Sequence, residues 1–227
     1  MSRMVDRKPM QHVVALAFWV FVRYNILIIY TNLNLQRKSM SKKLEEMSLK
    51  ELWQLFPIFL VEYNKKWIIW YDEERKSILS AVPNIYIKRI SHIGSTAILG
   101  IWAKNIVDIL VEVNNKEELD VVKNILINNG WLCMNVAETR TILNKGYTEQ
   151  GFAEKVFHLH IRIAGDNDEL YFRDYLNEHK EIAKEYETLK LSLWKEFEHD
   201  RDGYTNAKAE FINKYTNLAK NEYGGRY

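Results

Sequence analysis

The sequence predicts an α+β domain in which a mixed β-sheet is flanked by helices and followed by a C-terminal helical segment. Residues 106–113, IVDILVEV, are almost continuously apolar, which is typical of a strand buried on both faces. From about residue 180 onwards, the apolar residues recur at helical spacing instead. The chain has no internal repeat and no proline after Pro83, so one domain is expected over residues 41–222, with residues 223–227 as a tail.

The first part of this domain is predicted to be helical. Ser48 and Glu51 have the spacing of a capping box, in which each side chain accepts a hydrogen bond from an amide at the start of a helix. That helix is expected to end before Pro57. Residues 65–81 alternate apolar and charged positions at helical spacing, and Pro83 ends the pattern, so a second helix is expected there.

The middle of the domain is predicted to form strands around one helix. Residues 85–93 are rich in β-branched residues and alternate in polarity, which predicts the first strand, and residues 106–113 form the second. Residues 116–130 show helical periodicity that stops at Gly130, a residue typical of the position just past a helix. Up to three more strands are expected over residues 131–138, 139–146 and 154–164.

Two helical stripes run through the C-terminal third. The first consists of Ile182, Tyr186, Leu189, Leu193 and Phe197, and the second of Tyr204, Ala207, Phe211, Tyr215 and Leu218. Two or three packed helices are expected here, separated by a turn around Asp202 and Gly203.

The composition is that of a globular chain, and it excludes some functions. With 47% hydrophobic and 27% charged residues, the 227 residues can bury a sizeable core. Residues 1–40 carry six basic side chains against Asp6, which leaves 26 basic and 29 acidic residues in the remainder. A slightly acidic body gives no strong nucleic-acid-binding signal. Cys133 is the only cysteine, which excludes an intrachain disulfide and a thiolate zinc site and favours a cytoplasmic location.

Residues 1–40 form an apolar and basic extension that differs from the rest of the chain. Residues 13–30 are nearly all apolar, but Arg23 and Asn25 interrupt them and bring the free energy of membrane insertion close to zero. No small-residue cleavage site of a secretory signal follows. Three interpretations stay open: an extension ahead of a natural start at Met40, a helix weakly associated with a membrane, and a helix packed against the body.

The turn Gly94-Ser95-Thr96 directly follows the predicted first strand. Glycine lets the backbone turn with its amides exposed, and the two hydroxyl groups add further donors. Such a turn is suited to hold a phosphate group. Many strands also end in Gly-Ser turns without any ligand, so a purely structural turn is the alternative.

Asp108 lies in the middle of the apolar strand 106–113. A carboxylate there is costly to bury unless it is paired, bound to a metal or placed at the exposed end of the sheet. Asp108 is therefore expected either to belong to a functional site or to form a structural ion pair with Lys104 or Arg162.

His158 and His160 alternate along the last predicted strand, so they point to the same face, roughly 6.5 to 7 Å apart. Two imidazoles at that spacing can grip one metal or one phosphate, or act as acid and base groups. Two histidines satisfied within the core are the alternative. Farther along, Arg173 is expected near the start of one helix and Lys208 one turn into another, where charged residues most often face solvent.

Four stretches of the chain, in order, resemble the GrpB family. They are HIGSTA with the following KNIVDILV, then GYTEQGFAEKVFHLH, LYFRDYLNEHKEIAKEYETLK and DRDGYTNAKAEFI. The likeness runs from about Leu52 to Ala219 and leaves out residues 1–40. The family is similar in fold to the nucleotidyltransferase superfamily, so the resemblance implies a nucleotidyltransferase-like mixed sheet with the Gly-Ser turn ahead of the carboxylate strand.

The resemblance also implies a mechanism, in which the turn holds a nucleoside triphosphate and carboxylates hold a divalent metal against its phosphates. Asp108 falls on the second carboxylate of the superfamily's Asp-x-Asp pair, but Ile106 falls on the first, which puts an ordinary magnesium-dependent transferase in doubt. The implied catalytic residues, and the implied ligands of magnesium, manganese or zinc, are Asp108, His158 and His160. The implied phosphate- or nucleotide-binding residues are His92, Gly94, Ser95, Thr96, Lys104, Arg173 and Lys208.

Three functions stay open at this point. The first is a nucleotidyltransferase with an altered metal site. The second is a relative that binds a nucleotide or another phosphorylated small molecule without turning it over. The third is an accessory protein, tethered to a membrane through residues 13–30.

Overall fold

The computed structural model describes residues 42–227. Contacts between Cα atoms divide the chain after Glu46, and the fold below belongs to the unit that begins at Met47. The described end of the first unit holds one 3-10 turn, Leu44–Glu46. The apolar stretch 13–30 lies outside the described residues. In the part of the chain that is described, no helix is both long and apolar enough to cross a membrane.

The centre of the fold is a five-stranded mixed sheet. Its strands are β1 (Arg89–Ile93), β2 (Val107–Val113), β3 (Leu132–Val136), β4 (Arg140–Thr148) and β5 (Gly151–Ile163), arranged in the order β1-β2-β5-β4-β3. The central pair β2 and β5 is parallel, and the other neighbouring pairs are antiparallel. The structure thus confirms the predicted α+β class with a mixed sheet.

Helices precede, connect and follow the strands. They are α1 (Leu49–Leu55), α2 (Lys66–Ala81), α3 (Lys116–Asn128), α4 (Asp168–Glu178), α5 (Lys180–Glu196), α6 (Arg201–Asn206) and α7 (Ala209–Tyr223). The capping box of α1 is confirmed, because the Glu51 amide donates to Ser48 Oγ at 3.3 Å and the Ser48 amide donates to Glu51 Oε2 at 2.7 Å. Gly130, with φ of +86°, follows α3 as predicted.

One face of the sheet is apolar and packs against α2 and α3. Ile109 and Val111 of β2 are fully buried there with Trp67 of α2 and Leu119 of α3. Burial of these side chains is the main stabilising contribution on this side. It also confirms that β2 is buried on both faces, since only its second residue is partly exposed.

The opposite face of the sheet carries polar side chains. Asp108 of β2 contacts both His158 and His160 of β5 on this face. The C-terminal helices lie on the same side, where Leu170 of α4 packs against Leu110 of β2. The candidate site therefore lies between the polar face and the C-terminal helices.

The first strand is shorter than the sequence predicts. It begins at Arg89, because Asn84–Tyr86, which follow Pro83, form a 3-10 turn instead of the start of a strand.

The helices after the sheet number four, where two or three are predicted. His179 has a non-helical backbone and separates α4 from α5. The predicted turn at Asp202 and Gly203 is wrong, since both residues lie inside α6. Asp200 caps this helix by accepting a hydrogen bond from the Gly203 amide at 2.8 Å, so the break comes before Asp200 instead.

The last residues of the chain pack against the domain. The hydroxyl group of Tyr227 donates to Asp174 and accepts a hydrogen bond from Arg173 Nη2 at 3.1 Å. The ring of Tyr227 meets the ring of Tyr171 edge to face. The side chain that ends the predicted tail is thus held by α4.

Candidate functional site

Asp108 lies near the start of β2, where it has a neighbour on each side. Its register partners are Ile93 on β1 and His158 on β5. His158 Nδ1 lies 3.3 Å from Asp108 Oδ1, and His160 Nε2 lies 3.7 Å from the same oxygen. The prediction that the two histidines share one face is confirmed, and both converge on the carboxylate.

The carboxylate of Asp108 is ionised in this setting. Burial opposes its ionisation, but the imidazoles of His158 and His160 outweigh that effect and hold the pKa of the carboxyl well below its usual range. Burial lowers the pKa of His158, and its interaction with Asp108 offsets this only in part. Asp108 therefore carries a negative charge that the two imidazoles stabilise.

Gly94 packs directly on the Asp108 carboxylate. Its φ of +69° lies in the left-handed region, which favours glycine. A Cβ added at Gly94 would lie 2.4 Å from Asp108 Oδ2, closer than any side chain can come. The positive φ and the lack of space for a Cβ both require glycine at this position. The predicted Gly-Ser turn therefore lies against Asp108.

A narrow cleft opens beside Asp108. It lies between the loop that joins β1 to β2, the two central strands, and helices α5 and α6. Its lining residues are Ser95, Thr96, Lys104, Ile106, Asp108, His158, Lys190, Tyr204 and Lys208.

Three of the lining residues are lysines. Burial lowers the pKa of Lys104 to about 8 and the pKa values of Lys190 and Lys208 to about 7. Repulsion by Lys104 contributes further to lowering both of the other two. When protonated, the three ammonium groups outnumber the single carboxylate of Asp108, so the cleft attracts anions.

Tyr204 also lines the cleft, where Lys104 and Lys208 lie over its ring. The residue is 1% exposed, and its hydroxyl group is buried without a hydrogen-bond partner among the described residues. Lys208 Nζ lies over its ring, 3.9 Å from the centroid. Buried polar atoms are normally satisfied, so this hydroxyl group is an exception among the described residues.

Lys190 is held at the cleft by two neighbours. Its ammonium group donates to the carbonyl of Trp102 and lies 4.8 Å from the centroid of the Tyr186 ring. Tyr186 in turn is hydrogen-bonded to Ser95, and burial raises the pKa of this tyrosine to about 12. Tyr186 thus contacts both Lys190 and Ser95 of the turn.

A series of hydrogen bonds leads away from Asp108 through His158. The hydroxyl group of Tyr147 lies 2.7 Å from His158 Nε2 and accepts a hydrogen bond from Arg201 Nη1 at 3.2 Å. The Tyr147 ring stacks on the imidazole at a centroid distance of 5.9 Å. Both nitrogens of His158 are therefore engaged, one by Asp108 and the other by Tyr147.

Most of the predicted site residues come together. Ser95, Thr96, Lys104, Asp108, His158 and Lys208 line the cleft. Gly94 and His160 lie against the Asp108 carboxylate. The chain thus folds the Gly-Ser turn, the carboxylate and the histidine pair into one place.

Two predicted phosphate-binding residues do not line the cleft. His92 stacks on Tyr71 of α2 with ring centroids 4.8 Å apart, and its Nε2 lies 3.0 Å from Thr96 Oγ1. Burial lowers the pKa of His92 to about 4, so it is neutral. Arg173 donates to the carbonyl of His92 at 2.8 Å. His92 therefore contacts the Gly94-Ser95-Thr96 turn from outside the cleft, and Arg173 holds His92.

Two further expectations need correction. Arg162 does not pair with Asp108, because it binds Glu169 and Asp166 instead. Lys208 lies directly before α7, not one turn into it, since α7 begins at Ala209.

Two cleft residues, Lys190 and Tyr204, were not predicted from the sequence. Lys190 lies four residues after Tyr186, on the buried side of α5, where an apolar residue is expected. A lysine at such a position is a signal in the sequence that could have identified Lys190 as a candidate site residue. Tyr204 was assigned to an apolar stripe, and only the packing of α6 shows that this residue lines the cleft.

The donor set does not fit a divalent metal. Within residues 42–227, no group of three or more His, Cys, Asp or Glu side chains is arranged so that it could hold a metal ion. Ile106 provides no oxygen atom, both nitrogens of His158 are engaged, and three lysines repel a cation. The implied magnesium, manganese or zinc therefore has no role in the binding function proposed below.

Comparisons with known proteins agree with the resemblance seen in the sequence. The family model described as GrpB protein matches residues 57–218. The glutamate-rich protein GrpB of Alkalihalophilus pseudofirmus is 33% identical over 166 residues, which cover 70% of this chain and 94% of that protein. The UPF0157 protein YqkA of Bacillus subtilis is 31% identical over 204 residues, which cover 87% of this chain but only 58% of YqkA.

Solved structures give the same answer for the fold. The crystal structure of conserved protein GrpB from Enterococcus faecalis superposes with a TM-score of 0.63 at 28% identity, over 73% of this chain and 99% of that chain. The GLD-2/RNP-8 complex matches more weakly, with a TM-score of 0.45 at 12% identity over 70% of this chain and 61% of that chain. A likeness of that size does not indicate a function.

Proposed function

This chain belongs to the GrpB family, and from that premise we propose that its cleft binds the phosphate groups of a nucleotide or of another phosphorylated small molecule. Lys104, Lys190 and Lys208 neutralise the phosphate charge. Ser95 and Tyr204 donate hydrogen bonds to phosphate oxygens. Binding requires no metal ion.

The observation that carries this proposal is the convergence of three lysines on one small cleft, with Lys190 buried and Lys104 and Lys208 half-buried. A buried ammonium group without an anion costs stability, and three together add mutual repulsion. A phosphate group removes both penalties, since its oxygens accept hydrogen bonds from ammonium groups in charge-assisted form. The hydroxyl group of Tyr204, which has no partner among the described residues, supports the same ligand.

The experiment is a calorimetric titration of the full-length chain with inorganic tripolyphosphate and with the four nucleoside triphosphates, each in EDTA. We expect binding without metal, and added magnesium should weaken it by competing for the phosphates. Lys208→Met should lower the affinity for tripolyphosphate at least about tenfold. Lys76→Met is the matched control, because Lys76 is exposed on α2, away from the cleft.

Absence of binding by every one of these anions would overturn the proposal. Equal affinities of the wild type and Lys208→Met would do so as well. A thermal unfolding midpoint of Lys208→Met at or above that of the wild type shows that any loss of binding is not a loss of fold.

A second candidate function is nucleotidyl transfer. The observation that favours it is the placement of Asp108 with His158 and His160, groups of the kind that move protons, beside the proposed phosphate cleft. Product formation from labelled nucleotides tests this function in the wild type and in Asp108→Asn. If both proteins bind nucleotide and neither forms product, nucleotidyl transfer is excluded and only the binding function remains.

A further inference from the structure

A second, larger hollow lies beside the proposed phosphate cleft. Lys104 and Ile106 line both spaces, so the two are neighbours. The hollow's position places any occupant next to a phosphate group bound in the cleft.

The walls of this hollow are mainly apolar and aromatic. Phe59 and Phe152 stand 6.3 Å apart between ring centroids, with their planes inclined by 63°. Phe152 is fixed by Phe56 and Tyr147, whose rings lie within 5.2 Å of it. Phe59 is 38% exposed, so part of its ring is available to a planar group that enters the hollow.

Each polar side chain that lines the hollow carries hydrogen-bond donors. These side chains are Lys104, Asn105 and Arg201. The oxygen of the Asn105 amide accepts a hydrogen bond from Trp67 Nε1 at 2.7 Å, which directs this oxygen towards α2. Arg201 Nε is buried without a hydrogen-bond partner among the described residues.

We propose that this hollow binds the planar ring of the same ligand whose phosphate groups occupy the cleft, and that this ring carries keto oxygens. The ligand class is then a nucleoside phosphate with an oxo-bearing base, such as guanine or uracil. This inference rests on the proposed function and names the part of the ligand that the lysines do not contact.

The donor set explains the choice of base. Keto oxygens accept hydrogen bonds from an amide N–H and from a guanidinium group. Uracil offers two keto oxygens and guanine offers one at position 6, where adenine instead carries an amino group that would face other donors. The aromatic walls favour any flat base by stacking, so they provide affinity, and the donors provide the preference.

The test compares GTP, UTP, ATP and inorganic tripolyphosphate by calorimetric titration of the full-length chain in EDTA. GTP or UTP should bind at least tenfold more tightly than tripolyphosphate and at least threefold more tightly than ATP. Phe59→Ala should lower the affinity for the preferred nucleotide about tenfold and leave that for tripolyphosphate within twofold. Ile85→Ala, at a side chain that is 79% exposed, is the control and should change neither.

Arg201→Met should remove the preference for the keto-bearing nucleotides over ATP. Nucleotides that bind no more tightly than tripolyphosphate would overturn this inference while leaving the proposed function intact. An equal loss for nucleotide and tripolyphosphate in Phe59→Ala would also overturn it. If tripolyphosphate itself does not bind, the proposed function fails and the inference fails with it.

Discussion

Lys190 is 2% exposed, although lysine is among the residues least often buried. Burial lowers its pKa to about 7, against an ordinary value of 10.5. The hydrogen bond to the Trp102 carbonyl offsets only part of this cost. A residue that destabilises the free protein in this way is expected where a ligand needs it.

Replacement of Lys190 should change stability and ligand affinity in opposite directions. We expect Lys190→Met to raise the free energy of unfolding by about 1–3 kcal/mol at pH 7, because the apolar side chain fills similar space without a buried charge. The thermal midpoint without ligand should rise by roughly 2–10 °C. Affinity for tripolyphosphate should fall at least about tenfold. A lowered midpoint would contradict this account of the residue.

The same variant has a pH signature with a defined sign. The folded pKa of Lys190 lies near 7 and the unfolded value near 10.5, so the unfolded chain binds more protons between these limits. The cost of burying the lysine is complete below pH 7 and is lost as the pH rises towards 10.5. Urea unfolding at pH 7 and 9.5 should therefore show the advantage of Lys190→Met becoming smaller at the higher pH.

Gly94 offers a second test at the residue scale. Gly94→Ala should lower the free energy of unfolding by about 2–4 kcal/mol and weaken tripolyphosphate binding, because the new Cβ displaces the Asp108 carboxylate. Gly100→Ala is the matched control. Gly100 has a similar φ of +74°, but nothing lies within 4 Å of an added Cβ, so only backbone strain of about 1 kcal/mol is expected. Equal effects of the two substitutions would show that contact with Asp108 is unimportant.

At the scale of elements, α5 positions the loop that joins β1 to β2. Lys184 donates to the carbonyl of Gly100 at 2.8 Å, and Glu187 accepts a hydrogen bond from the Trp102 amide at 2.7 Å. These contacts lie directly before Lys104, one of the cleft lysines. One helix therefore contributes Lys190 to the cleft and also holds the loop that carries Lys104.

The short helix α6 is a test of how an element supports the site. Inside a helix, Gly→Ala normally stabilises by about 1 kcal/mol. Gly203→Ala should instead destabilise by about 1–2 kcal/mol, because its Cβ would lie 2.4 Å from Asp200 Oδ2 and 2.6 Å from the ring of Phe197. Nucleotide affinity should fall too, since α6 carries Tyr204 and Arg201.

Chemical denaturation and titration of Gly203→Ala measure both effects. Gly224→Ala is the control, because nothing lies within 4 Å of an added Cβ there. Stabilisation of the chain by Gly203→Ala would show that α6 tolerates a side chain at this position.

At the scale of the whole molecule, the two faces of the sheet have separate tasks. The face towards α2 and α3 holds the largest apolar cluster and provides stability. The face towards the C-terminal helices holds the carboxylate, the histidines and the cleft. The carboxylate and the two histidines thus lie on the face away from the main core.

The charge of the cleft predicts how binding depends on pH. In the free protein the pKa values of the three lysines lie between about 7 and 8, and a bound anion raises them. Binding therefore takes up protons, and affinity should fall at least about tenfold from pH 7 to pH 9. Sulfate is the appropriate probe, because its own charge is constant over this range. Lys208→Met should show a shallower dependence, and a wild-type affinity for sulfate that is constant or rises with pH would contradict the assignment.

Much of the fold was predictable because its signals are local. The capping box at Ser48 and Glu51, the stop at Gly130 and the apolar run of β2 each depend on a few neighbouring residues. The errors lie where a long-range contact decides the outcome. Gly203 reads as a turn residue, but a helix cap from Asp200 and the close approach of Phe197 place it in α6.

The sequence by itself determined the α+β class, the shared face of His158 and His160, and the resemblance to one family, since periodicity and ordered motifs are written along the chain. Only the tertiary structure decided that Asp108 contacts the histidines instead of Arg162, that His92 and Arg173 lie outside the cleft, and that Lys190 and Tyr204 line it. The physical reason is that charge and hydrogen bonding act through space. Their partners lie on elements far apart in the chain, and only packing brings these elements together.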